Sequence, residues 1–198
     1  MSERFHRGTC FAWVASSIIH VACSQSVPRD PATETKTSDA SALRDVPLID
    51  HTHWREYPAE EDPLASHQPE QVDCGPAGWY VEPAFEVPVL EIDTSYCNYV
   101  LLEQPLLVDV AKGDTVAVEV RHYDLLAPEP ATAHLAVWFG DSLEWETHVS
   151  IPSAAAVETA EWRVTRARRA GEAVRLHLHN HGQNTWLIAG LYVRRAAR

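Results

Sequence analysis

The sequence has few of the residues that mark common enzyme sites or membrane spans. It contains eight Gly and one Met in 198 residues, and it has neither a G-x-S-x-G nucleophile motif nor a Gly-rich phosphate-binding loop. No apolar run approaches the ~20 residues that a membrane-spanning helix needs. We therefore assign no catalytic residues and favour a non-enzymatic protein over an enzyme.

Positive charge is also scarce. Lys and Arg number 16 against 28 Asp and Glu, which gives a net charge of -12. Nucleic acids and anionic membrane surfaces are bound through basic patches, so we expect neither as a partner. The one local excess of positive charge is predicted to be a solvated strand edge, where charge discourages pairing between sheets. It consists of Arg163, Arg166, Arg168 and Arg169.

Residues 1–22 have the organisation of an export signal. Two arginines precede a short apolar stretch, residues 10–19 (CFAWVASSII). Residues 23–45 follow, and from residue 24 onward they include no aromatic residue and only two large aliphatic ones. Such a segment buries too little apolar surface to offset its ordering entropy, so it is predicted to be a disordered tether. Residues 46–198 remain as a single domain.

The signal ends in the tripeptide Val21-Ala22-Cys23. This tripeptide resembles the lipobox of bacterial lipoproteins, and the resemblance implies that Cys23 is lipidated and becomes the new N-terminus. His20 departs from the pattern, which prefers Leu at that position. Simple secretion and a buried N-terminal helix are the alternatives. The lipid would be the only contact with a membrane, in the bacterial periplasm or at the cell surface.

Two of the four cysteines, Cys74 and Cys97, fall in the domain. An even pair in an exported protein indicates a disulfide. A zinc site built on two thiolates would need further ligands at short spacing, such as a C-x-x-C motif, and the sequence has none.

From about residue 85 the sequence consists of short alternating or apolar segments separated by turn residues. Within 115–122, for example, Val116, Val118, Val120 and His122 share one face. Roughly eight strands without intervening helices predict an all-β, antiparallel sandwich. The predicted strands are 89–93, 96–102, 106–110, 115–122, 134–139, 145–151, 174–179 and 186–193.

Two segments are less regular. Residues 153–169 are Ala-rich yet alternate near Trp162, so we expect a helical turn over 153–157 followed by a strand. Residues 46–84 lack periodicity and are expected to be an irregular lead-in that packs on the sandwich. Its apolar anchors would be Trp54, Trp79 and Tyr80.

The order of strands is similar to that of jelly-roll sandwiches of the galactose-binding-like and carbohydrate-binding-module type. The resemblance rests on Lys112-Gly113-Asp114 before a strand, on residues 145–152, and on the closing pattern from Gly171 to the run 186–193 (WLIAGLYV). It implies a sandwich far more strongly than it implies sugar binding, because a fold does not determine a function.

Histidines cluster near the C-terminus. His177 and His179 lie two residues apart on one face of a predicted strand, and His181 follows at the turn. Imidazoles at this spacing can converge on one zinc or copper ion, which makes the three residues a candidate metal site. The alternative is that they are polar residues that brace the turn or contact a ligand.

A ligand site is predicted at the same end of the domain, where the 177–184 segment would meet the loop between residues 122 and 134. A competing site is an aromatic platform of Trp138, Trp145, Trp162, Trp186 and Tyr123, flanked by Asp124, Gln183 and Asn184, on which a sugar ring could stack. The residues expected to contact the ligand are His122, His134, His179, Asn180, His181, Asn184 and Trp186.

The sequence therefore favours an exported, lipid-anchored binding module for a carbohydrate-like ligand or another envelope component. Two alternatives stay open. One is a metal-binding protein or metal-dependent enzyme that uses His177, His179 and His181, and the other is a structural lipoprotein of the cell envelope without a ligand.

Overall fold

Two antiparallel sheets make up the domain in the computed structural model, which describes residues 43–83 and 87–196. Three short 3-10 helices, His51–His53, Ala59–Glu61 and Ala65–His67, occur near the start of the described chain. The strands are β1 Leu43–Pro47, β2 Arg55–Glu56, β3 Trp79–Glu82, β4 Val89–Asp93, β5 Tyr99–Pro105, β6 Thr115–His122, β7 Ala131–Phe139, β8 Ser142–Ile151, β9 Ala156–Arg163, β10 Ala173–Asn180 and β11 Thr185–Ala196.

One sheet has the strand order β3-β4-β11-β6-β9, and β1 pairs with the C-terminal half of β11. The other sheet has the order β2-β5-β10-β7-β8. The predicted fold class, an antiparallel jelly-roll-type sandwich, is confirmed.

The core lies between the sheets and follows the two-residue period of the strands. On β6, Val116, Val118 and Val120 face inward, and on β10 Val174 and Leu178 do the same. Burial of each such side chain contributes roughly 1.5–3 kcal/mol. The apolar residues whose alternation predicted these strands thus form the core between the two sheets.

The outer face of the five-stranded sheet is covered as well. Residues 57–68, which we call the covering segment, cross this face. The amide of Tyr57 donates to the carbonyl of Leu101 on β5 at 2.9 Å, and the Tyr57 ring lies 4.7 Å from the Arg175 guanidinium on β10. Strand β5 is consequently buried on both faces from Tyr99 to Gln104.

Two predicted elements are wrong. Residues 106–110 are not a strand, because their amides donate to two different segments instead of one neighbouring strand. Leu106 and Val110 donate to Glu172 and Arg168 in the loop between β9 and β10, and Leu107 donates to Leu48. Residues 153–157 are not a helical turn. Ser153 exchanges both backbone hydrogen bonds with Leu125, and β9 begins at Ala156.

The basic cluster is only partly a solvated edge. Strand β9 is an edge strand and ends at Arg163. Arg168, in contrast, is buried and pairs with Glu144 at 2.5 Å and with Glu172 at 2.8 Å.

A β-bulge in β7, between Val137 and Trp138, shifts the register with β8.

The lead-in contributes more regular structure than expected, because β2 and β3 join the two sheets. Trp54 is buried and Trp79 packs against the core, but Tyr80 is exposed. The predicted disulfide between Cys74 and Cys97 is confirmed.

Most of the predicted N-terminal features lie outside the described residues: the predicted signal (1–22), the predicted lipidation site Cys23 and most of the predicted tether. The last three tether residues are an exception, since β1 begins at Leu43. In the part of the chain that the structure describes, no helix is long and apolar enough to cross a membrane.

Candidate functional site

Three loops meet at one end of the sandwich. They lie between β4 and β5, between β6 and β7, and between β10 and β11, and each carries the chain from one sheet to the other. They share the wall of a cavity of about 510 Å³, which we call the rim pocket. Its lining residues are Thr94, Asn98, Leu126, Ala127, Pro128, Asn180, His181, Gly182 and Gln183.

Backbone hydrogen bonds between the loops fix the walls of the rim pocket. The amide of Leu126 donates to the carbonyl of Gln183 at 3.1 Å, and the amide of Gln183 donates back at 2.7 Å. The amide of Asn180 donates to the carbonyl of Asn98 at 2.9 Å. Gly182 permits this approach, because a Cβ there would lie 2.6 Å from the Leu126 carbonyl oxygen. The pocket is therefore formed before any ligand arrives.

The predicted ligand residues divide into two groups at this end of the domain. His181 is exposed and Asn184 is half-buried, whereas His122, Asn180 and Trp186 are buried. The Trp186 indole donates to Asn180 Oδ1 at 3.3 Å, and the His122 ring lies 4.8 Å from the Trp186 ring. Asn180 is thus a buried residue of the pocket wall, and it is held by Trp186, against which His122 packs.

Asn184 shapes the loop that carries it. It has a φ of 123°, in the left-handed half of the backbone map that few residues other than Gly and Asn adopt. Its side-chain amide donates to the Asp124 carbonyl at 2.6 Å, and its own carbonyl accepts from the Thr94 hydroxyl at 2.5 Å. Asn184 therefore ties together the three loops of the rim pocket.

The other predicted histidines lie on the outer face of the five-stranded sheet. Four residues align in register across four strands: Tyr99 pairs with His179, His179 with His134, and His134 with His148. We call this set the histidine row. The rings of His134 and His148 stack at 4.0 Å, and those of Tyr99 and His179 lie 5.4 Å apart. The row comes near the rim pocket at His179, whose ring lies 4.2 Å from the ring of His181.

His177 lies one step along β10 on the same face and is closed off by the covering segment. Its Nδ1 donates to Asp62 Oδ2 at 2.6 Å, and the Tyr99 hydroxyl donates to the same oxygen at 2.9 Å. Burial alone would raise the pKa of Asp62, but the hydrogen bond and charge of His177, together with hydrogen bonds from Leu64 and Tyr99, outweigh burial and lower it. Asp62 is therefore held as a carboxylate inside the protein.

Two histidines of this face are held neutral by their surroundings. Burial, followed by the charges of His181 and His177, lowers the pKa of His179 to about 4. Burial also lowers the pKa of His134, against the opposing effect of its hydrogen bond to Glu146. Neutral imidazole is the form that binds metal ions.

The three residues of the predicted metal site are arranged differently from one another. His177 is fully buried and committed to Asp62, while His181 is exposed in the loop beyond the strand. Among the described residues, a different group brings three potential metal ligands together. It consists of His134, Glu146 and His148, whose ligand atoms all lie within 4.8 Å of one another.

Sequence reasoning missed Asp62, Tyr99, Glu146 and His148. For two of them a signal existed. Glu146 and His148 alternate on one predicted strand and therefore share a face, although which residue lies opposite them depends on strand order. Nothing local pointed to Asp62, which lies 115 residues from its partner His177.

The predicted aromatic platform does not form. Trp186 lies in the core, whereas Trp138 is buried on the outer face of the five-stranded sheet. Trp145 and Trp162 are partly buried and pack against the core. Tyr123 is exposed, but it does not line the rim pocket.

No protein-family model and no curated protein matches the chain. Among solved structures, the chain is similar to the carbohydrate-binding module TmCBM27, described for specific mannan recognition. The TM-score is 0.51 at 7% identity, over 79% of this chain and 99% of the module.

Two further similarities have lower TM-scores. The family 11 carbohydrate-binding module from Clostridium thermocellum gives 0.43 at 9% identity, over 74% of this chain and 94% of that one. The K1 cleaved adhesin domain of Lys-gingipain from Porphyromonas gingivalis W83 gives 0.44 at 12% identity, over 79% and 99%. The similarity to TmCBM27 establishes a shared β-sandwich fold, as the strand order in the sequence predicted.

Proposed function

We propose that this protein is an exported binding module whose rim pocket takes a carbohydrate-like ligand. The observation that carries the proposal is the preformed pocket at the rim of the sandwich, where polar and apolar groups converge from three loops. Binding sites of this kind combine an apolar surface with a few fixed polar groups that orient the ligand.

The lining matches the two surfaces of a sugar ring. Leu126 and Pro128 offer exposed apolar surface for its C–H groups. The side chains of His181 and Gln183 are exposed and can donate to or accept from its hydroxyl groups. Among the described residues, the Gln183 side chain makes no hydrogen bond, so a ligand would not have to displace a protein partner.

Binding is better supported than hydrolysis. None of the described residues that line the rim pocket is Asp or Glu, whereas most glycoside hydrolases use a pair of carboxyl groups. The fold shared with TmCBM27, described for mannan recognition, supports a sugar as the ligand class. The net charge of -12 supports a neutral ligand over nucleic acid.

Export and anchoring form a second part of the proposal. The Cys74–Cys97 disulfide supports an oxidising compartment, because such bonds are rare in the cytosol. Lipidation at Cys23 would hold the module at the bacterial envelope. Metabolic labelling with a radioactive fatty acid tests this: the wild type should incorporate label and Cys23→Ser should not. Equal labelling of both proteins, or of neither, would refute the anchor.

Binding is tested by screening the purified chain against soluble polysaccharides and mannan-derived oligosaccharides, then measuring affinity by calorimetry. His181→Ala and Gln183→Ala should each weaken binding about 3- to 10-fold, the usual effect of one hydrogen bond. His53→Ala, an exposed histidine away from the pocket, is the matched control and should bind as wild type. Absence of binding to every sugar, or equal loss in the control, would refute the proposal.

A further inference from the structure

Three potential metal ligands come together on the outer face of the five-stranded sheet, apart from the rim pocket. His134 on β7 lies directly opposite His148 on β8. Glu146 precedes His148 by two residues, so both side chains share that face. One ligand atom from each of the three side chains lies within 4.8 Å of the other two, and His134 Nε2 is 2.9 Å from Glu146 Oε2.

We infer that His134, Glu146 and His148 bind a divalent transition-metal ion, for which Zn²⁺ is the natural probe. Two imidazole nitrogens and one carboxylate oxygen are a common set of three protein ligands for zinc. A fourth, tetrahedral position would then be left to water or to another small ligand. The site is distinct from the predicted group of His177, His179 and His181, and none of its three residues lines the rim pocket.

The surroundings provide both a fixed ligand and access from solvent. The His134 side chain is 10% exposed and is held between two rings, His148 at 4.0 Å and His177 at 5.1 Å. Glu146 is 44% exposed, and β8 is the last strand of its sheet. An ion can therefore reach the site from solvent without opening the core.

Binding requires one defined movement. The His134 and His148 rings are nearly parallel, with 12° between their planes. An imidazole binds a metal ion in its own ring plane, so two parallel stacked rings cannot both bind the same ion. His148 is exposed and can rotate out of the stack, whereas His134 is enclosed. Binding should therefore change the environment of the His148 ring most.

The test is a competition titration of Zn²⁺ against a chromogenic chelator, using the untagged full chain. Cys10→Ser and Cys23→Ser are included in every protein so that no free thiol competes for zinc. The variants are His148→Ala and Glu146→Gln. The matched control is His181→Ala, an exposed histidine of the group predicted from sequence. Thermal unfolding of each variant without zinc shows whether it folds, and NMR of the histidine rings reports which ones respond.

We expect one zinc ion per chain, with affinity reduced at least about 10-fold in His148→Ala and in Glu146→Gln, since even the loss of an outer-shell partner costs that much. His181→Ala should bind as wild type, and zinc should shift the His134 and His148 ring signals. No saturable binding by the wild type would overturn the inference. Binding that survives His148→Ala but is lost in His181→Ala would also overturn it, because the ion would then belong to the end of β10.

Discussion

Asp62 and His177 form a hydrogen-bonded pair that joins the covering segment to the sheet beneath it. The Nδ1 of His177 is 2.6 Å from Asp62 Oδ2, and both side chains are fully buried. The Tyr99 hydroxyl donates to the same oxygen. One carboxylate thus satisfies two buried donors from neighbouring strands, and it explains why a histidine of the outer face is not open to solvent.

Replacing Asp62 by Ala should therefore destabilise the fold strongly. The substitution leaves His177 Nδ1 and the Tyr99 hydroxyl buried without an acceptor, at a cost of about 3 kcal/mol or more in the free energy of unfolding. Urea denaturation measures this cost. Glu60→Ala, an exposed acidic residue in the same segment, is the control and should change stability by less than about 0.5 kcal/mol. Equal effects of the two substitutions would show that the covering segment is not held through Asp62.

Acid should destabilise the protein through His179. Its pKa falls from an ordinary 6.5 to about 4 in the folded state, so between these two values the unfolded chain binds a proton that the folded chain does not. Stability is unaffected above pH 6.5 and falls as the pH drops toward 4, by about 3 kcal/mol in total. The cause is burial of the neutral ring, with charge on His181, His177, His134 and His67 acting in the same direction.

Denaturation of metal-free protein at several pH values between 7.5 and 4 measures this loss. His179→Phe keeps a planar ring that cannot be protonated, so its stability should vary much less over the same range. His53→Gln, at an exposed histidine, should leave the wild-type pH dependence intact. An unchanged pH dependence in His179→Phe would mean that another group binds the proton.

Two adjacent arginines should differ sharply in their contribution to stability. Arg168 is buried and paired with Glu144 and Glu172, whereas the Arg169 side chain is 85% exposed and 3.5 Å from Asp109. Arg168→Ala leaves Glu144 buried without its partner and should cost about 3 kcal/mol. Arg169→Ala removes only a surface ion pair and should cost about 0.5 kcal/mol or less. Thermal unfolding compares the two, and similar costs would refute this view of the cluster.

Removal of the disulfide measures how much this bond contributes to the stability of the domain. Cys74 and Cys97 are 23 residues apart in sequence, and closing a loop of that size stabilises the folded state by about 3 kcal/mol in the chain-entropy model. The Cys74→Ser, Cys97→Ser double variant should lose about that much in urea denaturation. Reduction of the wild type should give the same loss. A double variant as stable as the oxidised wild type would show that the bond does not constrain the chain.

The fold could be predicted because its signals are local. The two-residue period of β6 and β10 determines which face of each strand is buried, and turn residues separate the strands. Leu106 and Leu107 have backbone partners in two different segments, and there the same apolar spacing predicted a strand that does not exist. The covering segment has no period, so its role depended on contacts that only the tertiary structure shows.

The candidate sites could be predicted only in part. The 181–184 loop was expected at the rim, and its first three residues line the rim pocket. The histidine row depends on the register between β10, β7 and β8, which no single strand encodes. Asp62 meets His177 across 115 residues of sequence. Residue types alone therefore indicated the kind of site, whereas the pairing of the strands determines which residues come together in it.

If the rim pocket is the ligand site, a bound sugar should perturb its lining residues, and mapping the sugar on the isotopically labelled protein tests this most directly. A mannan-derived oligosaccharide, or the tightest sugar from the binding screen, is titrated while backbone amide NMR signals are followed. We expect the largest shifts at Thr94, Asn98, His181 and Gln183, and little change in the histidine row. Shifts confined to the outer face of either sheet, or no shifts at saturating sugar, would contradict it.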